Sequence, residues 1–107
     1  MLAWAVPAFA HQSKTAGTSV TVTSGKPVEF KFTLSKMSVP HGSVTFTITN
    51  KGALAHDFSI NGKKTAQIPT GKSTTLTVTF AKAGKYAYMC TVPGHAAAGM
   101  KGTLTVT

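Results

Sequence analysis

From Thr18 onward, apolar side chains recur at every second position in short runs. Val20 and Val22 alternate with threonines, and Val28, Phe30, Phe32 and Leu34 alternate with polar residues that include Glu29 and Lys31. Val44, Phe46 and Ile48 follow, then His56, Phe58 and Ile60, then Leu76, Val78 and Phe80. Tyr86, Tyr88 and Cys90 share a parity, and Leu104 with Val106 ends the series. A period of two is the signature of strands with one buried face. Turn formers separate the runs: Ser24-Gly25-Lys26-Pro27, Pro40-His41-Gly42, Asn50-Lys51-Gly52, Asn61-Gly62, Pro69-Thr70-Gly71 and Ala83-Gly84. No window of about twelve residues has a helical period. The pattern predicts an all-β domain, an antiparallel Greek-key sandwich or barrel of roughly seven to eight strands.

One stretch breaks the alternation. Between the strands predicted for Lys85–Cys90 and Gly102–Thr107 lies Cys90-Thr-Val-Pro-Gly-His95-Ala-Ala-Ala-Gly-Met100, with the chain's single cysteine. Steps of five residues scatter the Cys, His and Met side chains around a helix axis, and Pro93, Gly94 and Gly99 interrupt regular structure, so the segment reads as a loop. Thiolate, imidazole and thioether form a soft donor set. Cys with two His in a plane and a weak axial Met suits an electron-transfer copper, whereas a structural zinc site would use Cys and His and leave Met idle.

A second imidazole must come from elsewhere, and His11, His41 and His56 are the candidates. His56 is in phase with Phe58 and Ile60 and so points inward, as Cys90 does on its own strand. His41 belongs to a Pro-His-Gly turn, where a solvated side chain is the default. His11 has no inward histidine beside it.

With 107 residues the chain makes one small domain, and 42% apolar with 12% charged residues is a globular composition. Residues 1–10 are apolar and end in Ala8-Phe9-Ala10, a small-x-small cleavage pattern, so they read as the remnant of an export signal preceding a domain over 11–107. This predicts a periplasmic or extracellular location. Eleven lysines against Glu29 and Asp57 give a net charge of +9. Export and the lack of aromatic steps for stacking bases argue against nucleic acid as a partner. Mobile lysine charges suit brief encounters with an acidic redox protein, or with an anionic membrane surface.

The pattern Gly84-x-Tyr86-x-Tyr88-x-Cys90-Thr91-x-Pro93-Gly94-His95-x4-Met100-x-Gly102, with Asn50-x-Gly52-x3-His56 upstream, resembles the cupredoxins, the small blue copper proteins. The Cys-x4-His spacing is similar to azurin, auracyanin and rusticyanin, and His-x4-Met fits the auracyanin-like form. The resemblance implies a Greek-key sandwich holding one copper per chain through His56, Cys90 and His95, with Met100 axial. It also implies a monomeric carrier of single electrons, not an enzyme. Copper binding for trafficking or storage on the same ligands is the alternative, although the chain has no Met-rich or Cys-x-x-Cys acceptor segment. A copper oxidase or nitrite reductase would need a further copper with more histidines. One departure stands out, since Asp57 occupies the place where the family usually has Asn. Its carboxylate is expected either to accept bonds from Thr91, tying the two ligand-bearing segments together, or to turn outward. Pro93, Gly94, Ala96, Ala97 and Ala98 are expected to form an apolar docking patch around an exposed edge of His95.

Overall fold

The computed structural model describes residues 17–107. The export signal predicted for residues 1–10, and His11, lie outside them. Among the described residues there are nine strands: β1 (Thr18–Ser24), β2 (Phe32–Leu34), β3 (Ser38–Val39), β4 (Gly42–Asn50), β5 (Ser59–Ile60), β6 (Lys63–Lys64), β7 (Ser73–Phe80), β8 (Gly84–Met89) and β9 (Lys101–Val106). They form two sheets, β2-β1-β4-β7 and β3-β9-β8-β5-β6. The all-β sandwich read from the alternation is the fold observed.

Two features of that reading are corrected. Strands number nine because β3, β5 and β6 are two-residue pieces too short to show a period. The sheets are mixed, since β1 runs parallel to β4 and β3 parallel to β9. Alternation reports which face is buried and is blind to the direction of the neighbouring strand.

The inward positions fill the core. Val20, Val22, Val44, Phe46, Ile48, Val78 and Phe80 from one sheet meet Ile60, Tyr88, Leu104 and Val106 from the other. Phe58 sits at the centre, its ring 5.2 Å from Phe46, 5.3 Å from Phe32 and 5.6 Å from Tyr88. Aromatic rings at these separations add edge and offset contacts to the area they bury. Asn61-Gly62 turns the β5–β6 hairpin with φ of 51° and 76°, the left-handed pair that a tight two-residue hairpin needs.

The run Val28–Leu34 departs most from its expected form. Only Phe32–Leu34 is strand, and residues 25–31 loop outward, leaving Val28 58% exposed. The loop opens with Gly25, whose φ of 85° is open to glycine at little cost and whose Cα faces the backbone of Gly52 so closely that a methyl would collide. This packing brings the loop after β1 onto the loop after β4. Lys51 donates its N–H to the Ser24 carbonyl at 2.9 Å, closing the contact. The loop after β8 joins them, so three loops meet at one end of the sandwich.

Candidate metal centre

His56 lies between the loop 51–55 and the core residue Phe58. Its backbone is pinned by a two-way bridge to Ile68: the His56 N–H donates at 3.3 Å, and the Ile68 N–H donates back at 2.7 Å. Asn50 shapes the preceding loop, donating its amide to the Leu54 carbonyl at 2.8 Å and the Ile68 carbonyl at 2.7 Å. Its Oδ1 accepts the Gly52 N–H at 2.8 Å. Thr70 adds a hydroxyl bond to the Gly52 carbonyl. A buried amide that satisfies three backbone groups fixes the loop ahead of the histidine.

Cys90 is the next residue after β8, and its side chain points inward on the parity of Tyr86 and Tyr88. The loop that follows closes on itself. The Cys90 N–H donates to the Met100 carbonyl at 3.1 Å, and the Met100 N–H donates to the His95 carbonyl at 3.1 Å. The Ala98 N–H reaches the Gly94 and His95 carbonyls, both at 3.1 Å. The loop thus contains one helix-like turn, held by backbone bonds that the sequence spacing alone does not show. These bonds tie the three residues Cys90, His95 and Met100 to one another through the main chain.

The side chains converge. His56 Nδ1 lies 3.1 Å from His95 Nδ1, while Cys90 Sγ is 3.5 Å from His95 Nδ1 and 4.0 Å from His56 Nδ1. His56, Cys90 and Met100 are wholly buried. The circle through the three donor atoms has a radius of about 2.1 Å, in the range of first-row metal bonds to imidazole, about 2.0–2.1 Å, and to thiolate, about 2.3 Å. Burial pushes the Cys90 thiol up, against the N–H groups of Asp57 and Val92, and it lowers His95, with the neighbouring His56 adding to that effect. A buried thiolate without a cation is unfavourable, and a metal is the group that would stabilise it among two neutral imidazoles. His41, by contrast, is exposed and bonds through Nδ1 to the terminal Thr107 carbonyl at 2.9 Å.

Two carboxylates flank the cluster. Asp57 is buried, and both its oxygens accept from Thr91: the N–H at 2.6 Å and the hydroxyl at 2.5 Å. Its own N–H donates to Cys90 Sγ at 3.4 Å. Asp57 therefore does not turn outward. It ties the His56 segment to the residue after the cysteine. Glu29, read from the sequence as an outward strand position, instead reaches His56 Nε2 with its Oε2 at 2.6 Å. The Ala53 and Leu54 N–H groups donate to the same carboxylate at 2.8 and 3.1 Å, and with the Ala53 bond foremost they hold its pKa below the ordinary 4.5. Phe30, beside it, sets its ring edge on His95 at 4.8 Å.

The surface around the centre also differs from expectation in one respect. Pro93, Gly94, Ala97, Ala98 and Leu54 are exposed and Ala96 half-buried, but His95 itself keeps only 8% exposure. The Phe30 ring covers part of what was expected to be an open edge.

Residues 1–106 match the family model for a cupredoxin-like domain. Auracyanin-B of Chloroflexus aurantiacus is 54% identical over 43 residues, which are 40% of this chain and 18% of that protein, so the match spans under a fifth of the relative's length. The solved structure of auracyanin B superposes with a TM-score of 0.74 at 27% identity, covering 84% of this chain and 88% of that one. Rusticyanin from Thiobacillus ferrooxidans gives 0.64 at 28% identity, covering 95% and 93%. Fold, donor triangle and family model agree, and the chain belongs to the cupredoxin-like family.

Proposed function

We propose that this protein is a mononuclear copper protein that passes single electrons between redox partners. The observation that carries this reading is the buried triangle of His56 Nδ1, Cys90 Sγ and His95 Nδ1, with edges of 3.1, 3.5 and 4.0 Å. Rusticyanin, similar to this chain at 25% identity, is described as a copper protein and has been solved in a reduced form. Bound here, copper would supply a one-electron couple. The protein's part is to hold the donors in one geometry whatever the charge of the ion, because a centre that needs no rearrangement exchanges electrons at low cost.

Each residue contributes to that rigidity. The Ile68 bridge and the core ring of Phe58 fix His56. Asp57 fixes the segment after Cys90 and directs a backbone N–H to its sulfur, which tunes thiolate donation. Met100, buried and tied to Cys90 and His95 through the main chain, would be the further donor to a copper held by the triangle. His95 lies just beneath the patch formed by Pro93, Gly94, Ala97 and Ala98, which would be the electron's exit.

The domain works after export, in keeping with the cleavage pattern at Ala8-Phe9-Ala10. Among the described residues no helix is long and apolar enough to cross a membrane. Its partners are redox proteins with acidic docking faces, drawn by the lysine excess. The rate of electron transfer to such a partner should fall steeply with salt, since exposed charges are screened beyond about 8 Å at physiological ionic strength. A salt-independent rate would remove the electrostatic part of this reading.

An absorption spectrum with stoichiometric copper tests the metal centre. One ion per chain and an intense thiolate-to-copper charge-transfer band are expected, both lost in Cys90→Ala. Colour surviving in that variant, or a wild type that binds zinc and no copper, would refute the proposal.

A further inference from the structure

Glu29 is one of two acidic residues in a chain of net charge +9, and its carboxylate meets the one nitrogen of His56 that faces away from the donor triangle. Three nitrogens converge on it. The Ala53 N–H donates to Oε1 and the Leu54 N–H to Oε2, and His56 Nε2 lies 2.6 Å from Oε2. Two backbone N–H bonds favour the ionised carboxylate, which can only accept, so the proton in the short contact lies on His56 Nε2. That leaves His56 Nδ1 unprotonated, 3.1 Å from His95 Nδ1.

The surroundings are built for this contact. At Gly52 a methyl group would run into both Glu29 Oε2 and His56 Nε2, so only glycine lets the pair close. The loop 25–31 leaves the sheet before Glu29 can become a strand residue, and its neighbour Phe30 packs its ring against His95 and, at 6.5 Å, against His56. The side chain is only 27% exposed, so its charge is partly shielded from water.

We propose that Glu29 is a positioning residue of the metal centre: through His56 it fixes which imidazole nitrogen faces the metal, and it holds a negative charge there that favours the oxidised ion. The inference rests on the copper reading for its second half alone. A carboxylate behind a ligating histidine orients the ring and raises its basicity. A fixed negative charge nearby stabilises the higher-charged ion relative to the lower, which lowers the reduction potential.

Two substitutions separate the parts. Glu29→Gln keeps an acceptor of nearly the same shape and removes the charge, whereas Glu29→Ala removes both. In the metal-free protein, nitrogen NMR should show His56 protonated at Nε2 in the wild type and in Glu29→Gln, and a mixture of tautomers in Glu29→Ala. Zinc and copper affinity should drop about 10–100-fold in Glu29→Ala and much less in Glu29→Gln. With copper bound, both variants should show a raised potential. About tenfold in the ratio of reduced to oxidised protein at a fixed potential, or 59 mV for one electron, is the expected scale. An unchanged His56 tautomer in Glu29→Ala would overturn the positioning role, and a wild-type potential in Glu29→Gln would overturn the charge effect. If Glu29→Ala does not fold, the wild-type tautomer and the Glu29→Gln potential still decide the two halves. A wild type that takes no copper would refute the proposed function while leaving the tautomer result to stand or fall by itself.

Discussion

The two sides of the metal centre are held in different ways. Cys90, His95 and Met100 lie within eleven residues of one another and are bound together by main-chain bonds inside their own loop. His56 is held by groups from several parts of the chain: Glu29 on the loop after β1, Ile68 ahead of β7, and the preceding loop shaped by Asn50. The first side is closed within the β8–β9 connection, while the second depends on segments that flank β1, β4 and β7 of the four-stranded sheet. The two acidic residues follow this division. Asp57 joins one side to the other by gripping Thr91, and Glu29 stays wholly on the His56 side.

The largest effect should come from filling the space that the remote side requires. Gly52→Ala would push a methyl into Glu29 and His56, so overpacking of about 1–3 kcal/mol is expected. It would appear as a lower denaturant midpoint, together with weakened metal binding. If stability and affinity both match the wild type, the close approach at Gly52 does not matter to the site.

Cutting the tie between the sides comes next. Asp57→Ala leaves the partly buried Thr91 N–H without its acceptor, a loss of about 1–3 kcal/mol in equilibrium unfolding. Asp57→Asn keeps an acceptor for Thr91 and deletes the charge, so stability should change little while the copper potential rises. A lowered or unchanged potential in Asp57→Asn would show that this carboxylate acts through its bonds alone.

The smallest and most gradual effect is that of acid on the metal-free protein. His95 titrates below the ordinary 6.5 in the folded state, so on acidification the unfolded chain takes up that proton first and stability falls from near pH 6.5 downward. Glu29 titrates below its ordinary 4.5, so its contribution is intact above that pH and is lost as pH falls toward the folded value. Thermal unfolding of metal-free protein across this range should show both declines, the lower one missing in Glu29→Gln. A flat profile from pH 7 to 4 would contradict the direction assigned to His95.

The same division decided what could be read from the chain alone. Cys90, His95 and Met100 announce themselves because their spacing is local and their chemistry rare, and His56 follows from the parity it shares with Phe58. Glu29 was hidden by that same rule of parity. Between Val28 and Phe30 it takes the place of an outward strand residue, and nothing in a period of two reveals that the backbone, once past the turn at Gly25, does not rejoin a sheet until Phe32. A signal was present nonetheless, in an acidic residue standing alone in a lysine-rich first half. Gly52 read as a turn former for a similar reason, because a glycine kept for close approach of a side chain looks the same in sequence as one kept for a bend.

The pairing of Met89 with Lys101 across β8 and β9 places both ends of the metal-binding loop on one rung of a single hairpin. Three prospective ligands are therefore carried on a cassette whose length the sheet does not sense. Insertions or exchanges between Thr91 and Gly99 should be tolerated by the scaffold even where they ruin the centre. Evolution, or an engineer, can rewrite the donor set there without redesigning the sandwich, whereas any change to the fourth donor must negotiate with three other parts of the chain.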